Sequence, residues 1–170
     1  FDAGYVLDDF RRPDQRLAFR LLALQEELEA YDSHSLMTEA FVERDLTPRW
    51  TLGAGLRLKT AAVEQLGEES GYAFAALPFM LRWDATDDAL DPKRGGRLLA
   101  EFSPYFGAGD AGPLFFKTHL TYRHYVSVTD RLVLAGRVGF GSVFGAELEE
   151  VPIDERFYSG GGSSVRGVEY

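Results

Sequence analysis

Several residues in this 170-residue chain are of types that can do chemistry. Asp84, Asp87, Asp88 and Asp91 form a cluster of carboxylates that could hold a hard cation. Their spacing is not that of a calcium loop, which needs ligands at alternate positions, a central glycine and a late glutamate. A solvated turn is the expectation, with no metal. His34, His119 and His124 are the only histidines. His34 falls in a turn region, and His119 and His124 differ in strand parity, so they cannot pair on one face to ligate a metal. Gly139, Gly141 and Gly145, in G-F-G-S-V-F-G, are laid out like a dinucleotide loop. That fingerprint must open a helix and be followed by an acidic residue about 20 positions on. Here a short acidic stretch stopped by Pro152 follows, so the glycines are read as making room on one face of a strand. No serine stands in a G-x-S-x-G elbow. With no cysteine there is neither a disulfide nor a thiolate site. Catalytic, cofactor-binding and metal-ligating residues are therefore assigned to none, and no enzyme is expected.

One stretch is different. The tail Glu155-Arg-Phe-Tyr-Ser-Gly-Gly-Gly-Ser-Ser-Val-Arg-Gly-Val-Glu-Tyr170 could be a flexible Gly/Ser loop. A linker, however, has no need of Arg156, Phe157 and Tyr158 before the glycines, nor of Val165, Arg166 and Gly167 after them. The pattern is that of a packed loop, whose guanidinium needs a carboxylate partner in a polar interior.

The elements that would carry these groups are strands. Leu52, Ala54, Leu56 and Leu58 alternate with Gly53, Gly55, Arg57 and Lys59. Leu114, Phe116, Leu120, Tyr122, Val126 and Val128 oppose Lys117, His119, Thr121, Arg123 and Ser127. Arg131–Phe144, Arg97–Phe106 and Ala73–Ala85 repeat the pattern. Pro13–Leu28 has helical leucine spacing, but Leu17, Phe19, Leu21 and Ala23 also alternate, and its strand neighbours decide for strand. Eight strands are expected, near Phe1–Phe10, Gln15–Ala30, Ser35–Arg44, Trp50–Val63, Gly71–Thr86, Arg97–Phe106, Pro113–Val128 and Arg131–Phe144. Turns are expected at Arg11–Gln15, Asp45–Arg49 and Val128–Arg131 on one side. Tyr31–Ser35, Glu64–Gly71, Gly107–Pro113 and the segment after Phe144 lie on the other, with longer connections. Asp84–Gly96 is long for the short-turn side. Strands of ten or more residues suit a tilted membrane span.

Composition limits the partners. Lys and Arg total 18 against 27 for Asp and Glu, a net charge of −9, which argues against nucleic acid. No apolar run is long enough for a membrane helix, but a barrel hides its apolar face by alternation. Neither end resembles a domain boundary, so the chain is expected to be part of a longer one.

Two motifs resemble a known family. E-R-F-Y-S-G-G-G-S-S-V-R-G looks like the loop motif of the Omp85 superfamily of outer-membrane barrels (surface antigen D15 type), in which R-F-x-x-G-G leads into V-R-G-[F/Y]. Arg82 to Leu98 is similar to the family's D-x-x-D-D-x-x-D-P-x-R-G segment, through Asp84, Asp88, Asp91, Pro92, Arg94 and Gly95. The resemblance implies an all-β, antiparallel transmembrane β-barrel, of which this chain supplies about eight strands of sixteen. On that reading residues 1–170 are a partial barrel domain, with meandering strands over 1–144 and a long extracellular loop over 145–170. The loop folds into the lumen, where Arg166, beside Val165 and Gly167, bonds an acidic residue of the inner wall. Arg156, Phe157, Gly160 and Gly161 match the lead-in. Val168 departs from the family's Phe or Tyr, and Tyr170 is the ring nearest to replace it. The family further implies the bacterial outer membrane, its bilayer as surroundings and client outer-membrane proteins as partners. A periplasm-spanning partner subunit would dock through POTRA domains lying outside this chain. The mechanism it implies is a thinned bilayer and an openable seam between first and last strands, which templates a client strand. The rival expectation is a complete small eight-stranded barrel with a structural or binding role.

Overall fold

The computed structural model describes residues 1–170 except 29–30, 66–67, 109–112, 130, 148–149, 152–154 and 157–170. The described elements are all strands: β1 (Asp2–Leu7), β2 (Gln15–Leu28), β3 (Tyr31–Thr47), β4 (Trp50–Gln65), β5 (Glu68–Ala76), β6 (Phe79–Asp84), β7 (Gly95–Gly107), β8 (Leu114–Thr129) and β9 (Leu132–Phe144). They form one antiparallel sheet in the order β1-β2-β3-β4-β5-β7-β8-β9, with β6 lying between β4 and β7. Among the described residues, β1 and β9 pair with no strand on their outer sides, so the sheet is open.

β5 and β6 are one strand with an interruption. Arg57 faces Ala76 and Ala54 faces Phe79, so the register against β4 is unchanged across Leu77–Pro78. Against β7, Ala76 faces Tyr105 and Phe79 faces Phe102, again without a shift. The expected strand Gly71–Thr86 is therefore continuous in direction and register. Its ladder is thinned because Pro78 carries no N–H. Gly55 N donates to Pro78 O at 2.9 Å, and Leu77 N donates to Pro104 O at 3.1 Å, but neither proline can return the bond.

The strands also outrun their expected limits. Tyr31–Ser35, read as a turn, lies inside β3, with Ser35 facing Leu24 and Ala61. Glu64–Gly71 is mostly strand as well, since β4 runs to Gln65 and β5 starts at Glu68. Polar residues there signalled a turn, yet strands that leave the bilayer continue pairing in water and are polar on both faces. Connection length therefore does not distinguish the two ends at these places. β1 is shorter than expected, giving way after Leu7 to a turn in which Asp9 and Arg11 have φ of 56° and 61°. Pro13–Leu28 is strand from Gln15 on, as its neighbours required.

The alternation assigns the two faces. On the outer, convex face Leu52, Leu56, Leu58, Phe79, Val138 and Phe140 are all more than 40% exposed. A water-soluble sheet with this much bare apolar surface would aggregate, whereas a barrel in lipid requires it. Phe79, Phe102, Phe116 and Phe144 stack in sequence across four strands, with centroids 6.5, 5.9 and 5.3 Å apart. Trp50 and Trp83 meet at 6.1 Å beside the β3–β4 turn, where amphipathic rings suit a membrane interface. The inner face is polar. Gly53 and Gly55 lie there because the Phe41 ring occupies the space a Cβ would need.

Candidate functional site

The inner face carries a network of ion pairs between strands one or two positions apart, which alternation produces by placing opposite charges on the same face. Arg20 holds Asp2 at 2.6 Å. Arg57 Nε donates to Glu39 Oε2 at 2.6 Å, and its Nη1 donates to the Tyr105 hydroxyl at 3.2 Å. Glu43 lies 3.4 Å from both Arg16 and Arg82. His119 Nδ1 sits 3.0 Å from Glu101. The wall thus supplies carboxylates for these cations from neighbouring strands.

One carboxylate comes from further away. Glu155, in the segment after β9, is 6% exposed and lies against the inner face. It accepts from Lys59 Nζ on β4 at 2.6 Å and from Lys117 Nζ on β8 at 2.9 Å. β4 and β8 are three strand positions apart, about 14 Å along the sheet. One carboxylate can reach both amines because each lysine carries its charge on a long, flexible stem. Burial alone would push the Glu155 carboxyl up, but Lys117 and Lys59 outweigh it and hold the group below the usual carboxylate range.

Beneath the ion pairs is the apolar core of the described structure. Phe74, Tyr105 and Phe115 are buried with Ala76 and Val151. Tyr105 and Phe115 stack at 4.6 Å, and Phe74 meets Phe115 edge-on at 5.6 Å. Val151, from the same segment as Glu155, is 3% exposed. Arg156 Nε donates to the Val151 carbonyl at 2.9 Å, closing the short stretch on itself. Gly145, with φ of 100°, turns the chain off the end of β9 toward this seat.

The 84–96 turn uses its acids locally. Asp84 Oδ1 accepts from Thr86 N at 2.9 Å and Thr86 Oγ1 at 2.6 Å, while Arg97 Nε lies 2.7 Å from its Oδ2. Asp87 Oδ1 accepts from Lys93 N and Arg94 N at 2.9 and 3.0 Å. Asp88 Oδ1 accepts from Leu90 N and Asp91 N at 2.7 and 2.8 Å. Those backbone donors hold both carboxyls below their ordinary range. Gly95 has φ of 96°, and a Cβ there would run into the Ala85 carbonyl. Arg97 Nη2 donates to the carbonyls of Asp88 and Ala89 at 3.2 and 2.8 Å. Among the described residues no group of acids or histidines could hold a metal ion.

The structure therefore brings Asp84, Asp87 and Asp88 into one turn with Gly95, and leaves Asp91 exposed, 3.8 Å from Lys93. Arg156 is seated beside Glu155. Phe157, Gly160, Gly161, Val165, Arg166 and Gly167 lie outside the described residues. His119 and His124 do point to opposite faces, with His124 3.1 Å from the outward Tyr122 hydroxyl. Sequence reasoning missed Lys59, Lys117 and Tyr105, although two lysines on the polar face of apolar-backed strands were a visible signal.

A curved antiparallel sheet, apolar outside and ion-paired inside, with a connecting segment folded onto its inner face, defines the wall of an outer-membrane-type β-barrel. The chain belongs to the Omp85 superfamily, whose domain matches residues 1–170. Proteins of this superfamily reside in the outer membrane, where they take part in protein assembly and translocation as transporters or assembly factors, not enzymes.

Proposed function

We propose that this chain is part of the barrel of an assembly factor that inserts or secretes client β-barrel or autotransporter proteins. By its motifs it resembles TamA, the translocation and assembly module subunit. The observation that supports this reading is the segment after β9 seated on the inner face through Glu155, in a chain matched along its whole length by the superfamily domain. In this reading residues 145–170 are the extracellular loop, and Arg166 is carried inward to a wall carboxylate outside this chain. POTRA domains would connect the barrel to a periplasm-spanning subunit of the TamB kind. The 84–96 turn is a structural connector. The rival, a closed eight-stranded barrel, is disfavoured by the free outer sides of β1 and β9 among the described residues.

The test is depletion of the full-length protein followed by measuring client arrival in the outer membrane. Selective failure of autotransporter-type clients is the expected result. Failure of all barrel clients alike would instead favour a general insertase of the BamA kind. Normal arrival of every client would overturn the assembly reading. Replacing Arg166 by Ala in the full-length protein should reduce client assembly, and unchanged folding and assembly would remove its proposed role.

A further inference from the structure

We infer that Glu155 is the fastening point of the long loop, a single carboxylate clasped by Lys59 and Lys117 that keeps the loop root inside the barrel independently of the V-R-G tip. It is a positioning residue: it touches no client, and acts by fixing where the loop leaves the wall. The inference goes beyond the assembly reading and leans on it only for an activity measurement.

Three observations converge on this assignment. First, the geometry is long-range in both directions. Glu155 is 96 residues from Lys59 and 38 from Lys117, so no local turn brings them together. Second, the carboxylate is shielded. Its side chain is 8% exposed, the Lys59 side chain 14% and the Lys117 side chain 27%, so screening by water and salt is weaker than for a surface pair. Third, the ion pairs do not stand alone. Val151 enters the aromatic seat of Phe74, Tyr105 and Phe115 directly below, and Arg156 ties the two ends of the 151–156 stretch together. An apolar plug below and a two-pronged ion pair above make a defined socket for one short segment.

The chemistry is also specific. An exposed carboxylate with one lysine would contribute almost nothing. A buried carboxylate between two amines is different, because removing it leaves two like charges facing each other in a confined space. An amide in its place could accept a hydrogen bond but would not offset either charge. Reversing one pair should restore it, since a lysine at 155 would face a glutamate at 117.

The experiment uses the full-length protein in outer membranes. Residues 1–170 have no cysteine, so with any cysteine elsewhere in the full-length protein replaced by serine, Val151→Cys gives a single reporter at a site 3% exposed. With Glu155 intact, a membrane-impermeant maleimide should label it slowly. Glu155→Gln and Glu155→Lys should each raise the labelling rate at least tenfold while the barrel keeps its heat-resistant mobility on gels. Glu155→Lys combined with Lys117→Glu should bring the rate back to within a few-fold of the starting value. If Glu155→Gln does not reach the membrane, Lys59→Gln replaces it, with the same opening expected. Slow labelling in all single variants would overturn the inference, as would a double variant that folds but stays open. Client assembly should fall and recover with the labelling. Opening without any loss of assembly would keep the clasp and remove its part in assembly, while the assembly reading itself falls only if depletion leaves every client in place, so the two failures are distinguishable.

Discussion

The 84–96 turn and the loop root at Glu155 are both built on carboxylates, and they use them in opposite ways. Asp87 and Asp88 accept from backbone N–H groups within seven residues, in water. Glu155 accepts from two side chains on distant strands, in a largely buried socket. The turn draws on partners close in sequence, its own backbone and Arg97 at the foot of β7, so its shape needs only the β6–β7 hairpin. The loop root needs more, because its partners exist only once β4 and β8 are joined in one curved sheet. The difference separates a connector from a fastening: a cluster of acids marks local geometry, while one acid among distant cations marks tertiary assembly.

The largest effect that would sharpen the contrast is Glu155→Ala. It strands two partly buried amines beside the seat of a buried carboxylate, and breaking a buried pair typically costs about 3–5 kcal/mol, so this partly exposed one should fall at or below about 3 kcal/mol. Detergent-solubilised protein should lose that much stability in urea unfolding, and a loss within error would erase the distinction. Gly95→Ala comes next. It forces a left-handed residue with a Cβ against the Ala85 carbonyl, at about 1–3 kcal/mol for the backbone strain alone. Gly136→Ala, where a Cβ meets nothing, is the control and should change little. Asp87→Ala or Asp88→Ala should have a smaller effect, confined to faster proteolysis or amide exchange within 84–96. If either variant opened the Val151→Cys reporter, the turn would not be a local unit.

The smallest effect is that of mild acid. Glu155 has its carboxyl held below the ordinary value of 4.5, so the clasp contributes fully above that value. It is lost only as pH falls through the lower, folded-state value. Reporter labelling, taken relative to a fully exposed cysteine at the same pH to remove the change in thiolate fraction, should therefore be flat between pH 7 and pH 5. Opening within that window would mean that the lysines do not hold the carboxylate charged.

Much of this was readable in the chain. Alternation identified the strands and their faces, because period two survives any amount of curvature. The 84–96 turn was readable since its donors and acceptors are close in sequence. The join between β5 and β6 was not read, as alternation passes through Pro78 undisturbed while the ladder does not. Residues 31–35 and 64–70 misled, because turn-type residues and water-exposed strand ends have the same composition. The clasp was hidden for a different reason. Glu155 was in view only as the first letter of a loop motif, and Lys59 and Lys117 only as polar-face residues. Nothing in sequence spacing says which of several inward cations a remote carboxylate will meet.

The paired prolines carry a mechanical consequence. Gly55 and Leu77 each present a carbonyl that Pro78 and Pro104 cannot answer, so two neighbouring rungs hold with one bond where others hold with two. A sheet bends most easily where its cross-links are fewest. The wall therefore has a crease running from β4 to β7, adjacent to Tyr105 and the seat of the loop. The strands on either side keep their register, so the crease lets the wall flex in curvature without slipping. Stiffness in this barrel is graded: low along the proline line, and high where Glu155 draws β4 and β8 together across it.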